Sequence, residues 1–310
     1  MESILLGMTT PMQHSDKPWQ RFWQQLSAAQ QSYLESLRPL AQQRPPSTLV
    51  RWSCGEHFLG YLPTQRAAQL CESLAHCRWY GAQMVWEALD WTCAQRSAAL
   101  QQWLVQQHAQ GLLTGWRNEC FSFWDSACQN PDPQVPPFLS VERAGFRYLG
   151  MMSHAVHING FLPDGRVWCG RRSLTKATDP GRLDNVAAGG LPSGELILDC
   201  AVRELAEEAG LASVVPNHLV GAGWVRTSRL EPEGWHDETL HVFNLLLDAD
   251  FQPHNQDGEV AEFVSLTPSQ LLERARAGAF TWDAMATLWQ GVSAFIRAPA
   301  PPKTLQSSGR

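Results

Sequence analysis

Between Trp19 and Leu40 the apolar residues Phe22, Leu26, Leu34 and Leu37 recur at helical spacing, and Pro45-Pro46 ends the run. Leu49 to Leu62 reads instead as a short hairpin, with a polar turn at Ser53–Glu56. Pro63-Thr64 introduces a helix predicted over Gln65–Cys77, with Thr64 placed as its N-cap. A further helix is predicted over Ser97–Gln110, closing at Gly111, and a strand over Gly115–Phe123. The prolines of Asn130–Pro137 neither continue a helix nor donate to a sheet, so this stretch is read as a loop near a domain boundary. A short helix leading into the second domain is expected over Phe138–Leu149.

The second part alternates strands and turns around one strong helix. Strands are predicted at Ala155–Phe161, Arg166–Arg171, Leu219–Val225, Thr239–Leu247 and Val260–Leu266, with turns at Pro163-Asp164-Gly165 and Asp257-Gly258. Ala187–Gly194 reads as a glycine-rich loop, and Leu198–Ala209 as a helix stopped by Gly210. Pro268–Ala277 and Trp282–Ile296 read as closing helices, and Ala298–Arg310 as a disordered tail. The expected organisation is an N-terminal α+β domain over residues 1–137, a second domain over 138–297 and a tail over 298–310.

Composition narrows the function classes. A length of 310 residues suits two domains. The formal net charge is −6 and no long Lys/Arg run occurs, which argues against a nucleic-acid partner. An anionic substrate therefore needs local positive charge, from metal ions or a few arginines. The eight cysteines form no CxxC pair and match no zinc spacing. Reduced thiols in a cytoplasmic protein are expected, because the N-terminus has no signal-peptide pattern and no apolar run reaches the roughly 20 residues of a membrane span.

The chemistry concentrates at Leu198–Ala209. On a helix of about 100° per residue, Leu198, Val202, Leu205 and Ala209 form an apolar stripe. Glu204, Glu207 and Glu208 cluster on a neighbouring face at i, i+3 and i+4. Such carboxylates repel one another unless cations lie between them, and hard divalent ions suit all-oxygen ligands. Arg203 stands ready to hold a carboxylate by a charge-assisted hydrogen bond. Gly189 and Gly190 let the backbone turn tightly and approach a ligand closely before the helix begins.

The full string, Gly189-Gly190-Leu191-Pro192-Ser193-Gly194-Glu195, seven residues, then Arg203-Glu204-Leu205-Ala206-Glu207-Glu208-Ala209-Gly210-Leu211, resembles the Nudix box at each of its fixed positions. The resemblance implies an α/β/α sandwich with a mixed sheet, preceded here by a smaller α+β domain. It implies that Glu204, Glu207 and Glu208 bind Mg²⁺, with Mn²⁺ as a substitute, and that Glu195 and Arg203 buttress the loop–helix–loop alongside Gly189, Gly190 and Gly210. The reaction implied is attack of water on a phosphorus of a small-molecule diphosphate. Many members recruit a later glutamate; Glu259 and Glu262 are the two candidates here.

The flanks resemble the Nudix part of fungal thiamin pyrophosphokinase. The segments that carry this are Gly115–Glu119, Ser140–Ala144, His157–Gly160, Pro180–Pro192 and Asp257–Val260. It implies hydrolysis of thiamin diphosphate-like molecules, oxidised forms foremost, to the monophosphate and phosphate. Trp116, Trp235 and Phe243 are candidates to stack on the rings, and Arg171 or Arg172 to grip phosphate. For Trp116 a place in the core is the stronger expectation. His154 and His157 fall on opposite faces of one strand, which argues against a shared metal, and Asp184 and Asn185 are read as braces of the glycine loop. Rival readings are a hydrolase of ADP-ribose or another nucleoside diphosphate derivative and a non-catalytic metabolite sensor. The N-terminal domain is a lid, a pocket wall or a support for a homodimer; the inclusion of Trp116–Glu119 in the resemblance favours the first two.

Overall fold

The computed structural model describes residues 17–176, 178–212 and 218–296; the tail predicted to be disordered lies outside them. Helices α1 (Pro18–Gln24) and α2 (Ala28–Leu40) lead into a small sheet of β1 (Leu49–Cys54), β2 (His57–Pro63), β3 (Cys77–Tyr80) and β4 (Gln83–Trp86). Between β2 and β3 runs α3 (Thr64–Ser73). The predicted hairpin is present, and the predicted helix is shorter than expected, because Cys77 already pairs with Trp86 across β3 and β4. Pro63 occupies the cap position of α3, and the Thr64 hydroxyl bonds to the Thr48 carbonyl instead of capping. Helix α4 (Cys93–Ala109) begins earlier than expected, where Thr92 and Gln95 close a capping box.

Only Cys120–Phe123 of the strand predicted over 115–123 pairs (β5), with β6 (Leu139–Glu142). The first residues of the expected 138–149 helix are thus a strand, and α5 (Arg143–Leu149) follows, stopped by Gly150 at φ 62°.

The larger sheet holds β7 (Met152–Phe161), β8 (Val167–Arg172), β9 (Leu183–Asp184), β10 (Ala187–Gly190), β11 (Leu219–Glu231), β12 (Gly234–Leu246) and β13 (Val260–Leu266). Its main path runs β11-β12-β7-β8-β13; β12 and β7 are parallel and the other pairs antiparallel, so the sheet is mixed. The segment expected as a loop at 187–194 starts as strand β10, because its small residues pack flat against Ala155–Ile158 of β7. Strands β11 and β12 extend well beyond the predicted stretches. Their charged residues are paired inside the fold, Arg226 with Asp237 and Arg229 with Asp283, so polarity did not end the strands.

One face of this sheet packs on α6 (Ile197–Ala209) through Val156, Ile158, Ala201 and Leu205. The other packs on α7 (Pro268–Arg276) and α8 (Trp282–Ile296), giving the three-layer sandwich. Trp19, Phe22, Leu34 and Leu37 of α1 and α2 join that second face, against Leu288 and Trp289. A helical apolar stripe does not say which sheet it will cover, and here the first two helices cover the second domain's sheet. The core of the smaller unit runs from Val50 to Met152. Among the described residues no helix is long and apolar enough to cross a membrane.

Candidate active site

Helix α6 is turned so that Cys200, Ala201, Leu205 and Ala209 are buried, while Leu198 and Val202 pack only at the edge of the core. The apolar stripe is therefore rotated from the predicted one, and Glu204 and Glu208 share its inward side. Their side chains are 12% and 8% exposed, against 47% for Glu207. Burial raises the pKa of both inward carboxyls; Arg203 opposes this at Glu204, and the Ala188 amide, donating to Glu208 at 2.9 Å, opposes it at Glu208.

Gly189 makes the inward turn possible. A Cβ there would lie 2.0 Å from the Glu204 carboxyl carbon, so no side chain fits between β10 and the helix. Arg203 grips Glu195 with a two-pronged bond, Nε and Nη2 each at 2.9 Å from a carboxylate oxygen. Its Nη1 reaches Glu204 at 2.7 Å and Glu207 at 3.0 Å. That arrangement, the Glu195 bond foremost, raises the guanidinium pKa further. Gly210 at φ 72° ends the helix.

The chain returns to this helix end from far away in sequence. The amides of His254 and Gln256 donate to the carbonyls of Ala209 and Glu207, satisfying the last turn. This docking brings Asp257 and Glu259 beside Glu208, with carboxylate oxygens within 4.8 Å of one another. Lys176 contacts Glu259 and lies 4.0 Å from Glu208, and Arg117 lies 3.6 Å from Glu259. Burial lowers the Lys176 pKa, and Glu208 pulls the other way. The Lys176 ammonium among these oxygens shows that the donor set suits positive charge. Hard carboxylate oxygens on a rigid helix and an adjoining turn fit divalent ions.

Glu204, Glu207, Asp257 and Glu259 line a cleft of about 440 Å³, with Arg117, Arg143, Arg147, Arg172 and Lys176 around it. A second cavity of about 520 Å³ shares Phe121 and these cations and adds Leu112, Leu113, Phe146 and Met151. The smaller unit supplies that wall: Phe121 from β5, Arg143 and Arg147 from α5, and Arg117 from the segment before β5. A charged compartment thus adjoins a partly apolar one.

The expected substrate contacts separate. Arg172 lines both cavities and bonds to Asp184 at 2.9 Å. Arg171 lines neither; it bonds to Glu262 at 2.5 Å and to the Gly181 carbonyl. Glu262 faces outward beside it, so of the two late glutamates only Glu259 reaches the cleft. Trp116 stacks on His108 at the edge of the first core, and Trp235 is buried against Tyr61; neither lines the cleft. Trp235 sits in a charged stretch, Glu231–Glu238, yet β12 carries it inside. Phe243 packs in the core behind α6. His154 bonds to His241 and His157 to Asn185, with no common partner. Asn185 also bonds to Asn159 and Thr287, bracing the strand before the glycine turn. Lys176, Asp257, Arg143 and Arg147 were not singled out in sequence; Asp257 read as a turn residue, and isolated basic residues carry no spacing signal.

A family model for the NUDIX domain matches residues 154–288. The chain is 36% identical over 177 residues to Nudix hydrolase 24, chloroplastic, of Arabidopsis thaliana, covering 56% of this chain and 47% of that protein. It is 36% identical over 165 residues to Nudix hydrolase 20, chloroplastic, of the same plant, covering 52% and 42%. An uncharacterized Nudix hydrolase of Pseudomonas aeruginosa is 30% identical over 162 residues, covering 51% of this chain and 88% of that one. The chain thus spans about half the length of the two plant relatives.

Proposed function

The chain belongs to the Nudix hydrolase family, and from that premise we propose that it is a Mg²⁺-dependent pyrophosphohydrolase of thiamin diphosphate-like compounds, oxidised forms foremost. The observation that carries the reading is the cleft itself, in which the carboxylates Glu204, Glu207, Asp257 and Glu259 face arginines and a lysine across a space sized for a small organic diphosphate.

Glu204, Glu207 and Glu208 would hold Mg²⁺, or Mn²⁺ in its place, with Asp257 and Glu259 at the adjoining turn. When bound, such ions neutralise diphosphate oxygens and acidify water. Arg143, Arg147 and Arg172 grip the phosphates, and the apolar wall of Leu112, Phe146 and Met151 shelters the organic group. Water attacks phosphorus, the new P–O bond forms as the bridging P–O bond breaks, and Glu259 accepts the proton of the water. The products are the monophosphate and phosphate. The smaller unit acts as a wall of the site.

The test is phosphate release from thiamin diphosphate, oxothiamin diphosphate and ADP-ribose, with and without Mg²⁺. Release from the thiamin compounds only with Mg²⁺, abolished in Glu207→Gln with ligand binding retained, supports the proposal. Turnover of ADP-ribose in preference to both thiamin compounds overturns the substrate. Binding without turnover in the unaltered protein indicates a sensor.

A further inference from the structure

Apart from the carboxylates of α6, a second polar cluster faces the cleft. Glu238 lines both cavities, His236 lines the larger and Asp283 the smaller. His236 and Glu238 sit two residues apart on one face of β12, and Asp283 lies in the first turn of α8. The His236 side chain is only 4% exposed, and among the described residues its Nε2 has no hydrogen-bond partner. That nitrogen lies 3.6 Å from Glu238 Oε2 and 3.9 Å from Asp283 Oδ2, too far to bond to either.

We propose that His236, Glu238 and Asp283 form a hydrogen-bonding socket that reads the carbonyl and adjacent N–H of a heterocycle on the substrate. This rests on the hydrolase reading above and goes further, by assigning the residues that choose between an oxo and an amino ring.

The neighbours set which atom donates. Arg147 Nη2 lies 3.2 Å from His236 Nδ1, and a guanidinium only donates. Nδ1 therefore accepts, and the neutral ring carries its hydrogen on Nε2, pointing into the cluster. The same bond withholds the Nε2 lone pair from a metal. Asp283 is held ionised by the paired bonds from Arg229, at 2.9 and 3.2 Å, so it accepts. Glu238 receives the Ser153 hydroxyl on Oε1 at 2.8 Å, and among the described residues no cation bonds to its Oε2. A carboxylate oxygen of Glu238 lies within 4.8 Å of one of the ionised Asp283, a close pairing that a proton on Oε2 relieves; burial first, and the Asp283 charge second, raise the Glu238 pKa in the same sense. The socket then offers donors from His236 and Glu238 and an acceptor at Asp283. A ring carbonyl takes both donors and its neighbouring N–H satisfies the acceptor. An amino group with an adjacent ring nitrogen presents the opposite pattern.

The test measures binding by calorimetry with the full chain in Ca²⁺, using two pairs that differ only in amino against oxo: thiamin and oxythiamin diphosphate, and ADP-ribose and its inosine counterpart. The oxo member of whichever pair binds is expected to bind about tenfold more tightly or better, since the wrong edge leaves buried groups unpaired. Glu238→Ala is expected to shrink that preference to about threefold or less, while Glu238→Gln, whose amide still donates, keeps most of it. Equal or tighter binding of the amino member, a preference unchanged in Glu238→Ala, or no binding of either pair overturns the socket. Mg²⁺-dependent phosphate release, read separately, reports on the hydrolase: turnover without an oxo preference removes the socket alone.

Discussion

The Cα of Gly189 lies directly against the carboxylate of Glu204, with room for hydrogen and nothing larger: an added Cβ would fall 2.0 Å from the carboxyl carbon. Gly189→Ala must therefore move either β10 or the Glu204 side chain. A displacement of about 1 Å in a catalytic group costs roughly a hundredfold in rate. The expected result is a kcat about a hundredfold down, with stability lowered by about 1–3 kcal/mol from overpacking. Phosphate-release kinetics and thermal unfolding on the same preparation check this. Near-normal kcat would mean that Glu204 need not occupy its present place.

Glu195 does not line the cleft, yet it fixes the fork of Arg203, which in turn bonds to Glu204 and Glu207. Glu195→Gln keeps the shape and removes the charge. Loss of such a supporting partner weakens metal affinity by about tenfold or more. The Mg²⁺ concentration for half-maximal activity should rise accordingly, with kcat at saturating Mg²⁺ less affected. Arg203→Lys should do the same, since an ammonium cannot make the two-pronged bond. An unchanged Mg²⁺ requirement in both would remove the buttress role.

The spacing of Glu204, Glu207 and Glu208 was legible because a helix turns spacing into geometry over a few residues, and the sandwich with its mixed sheet followed from the same segment. The rotation of α6 was not legible: Leu198 and Val202 are as apolar as the buried positions, and small Cys200 and Ala201 won the inward face because β10 comes so close. Asp257 and Glu259 reach the site only because the amides of His254 and Gln256 cap the end of α6, a contact that no local pattern reports. Trp235 lies away from the cleft for a related reason. The charges around it are balanced by partners on distant strands and on α8, so a polar stretch could be buried.

The two late glutamates are alike in sequence and unlike in place. Glu259 contacts Lys176 at the cleft, while Glu262 pairs with Arg171 across β13 and β8, half-exposed and away from the cleft. Glu259→Gln is expected to lower kcat by about a hundredfold, the usual loss when a proton acceptor is removed. Glu262→Gln is expected to leave kcat within about twofold, since an exposed ion pair contributes little. The reverse order would return the assisting role to Glu262.

His154 and His241 should each act to lower stability in mild acid, against an opposite pull from the buried Glu204 and Glu208 carboxyls, whose pKa values burial raises. The two histidine rings stack in the core with Nδ1 of one 3.2 Å from Nε2 of the other, a hydrogen bond that needs a neutral partner to accept. Burial first, then the neighbouring His241 and Arg226, lower the His154 pKa to about 3, and burial lowers that of His241 to about 4. In the unfolded chain both titrate near the ordinary value of about 6.5. Between these limits the unfolded chain binds more protons than the folded one. The stabilisation is therefore complete above the unfolded value and is lost as pH falls from there towards 4. Each histidine contributes a slope of up to about 1.4 kcal/mol per pH unit in that window. Chemical denaturation of the unaltered protein and of His241→Gln at steps from pH 7 to pH 5 should show the variant's slope shifted by about 1 kcal/mol per pH unit towards greater stability in acid, because one titrating ring is gone. A slope identical in the variant would mean that the burial of His241 does not contribute to the acid sensitivity of the fold.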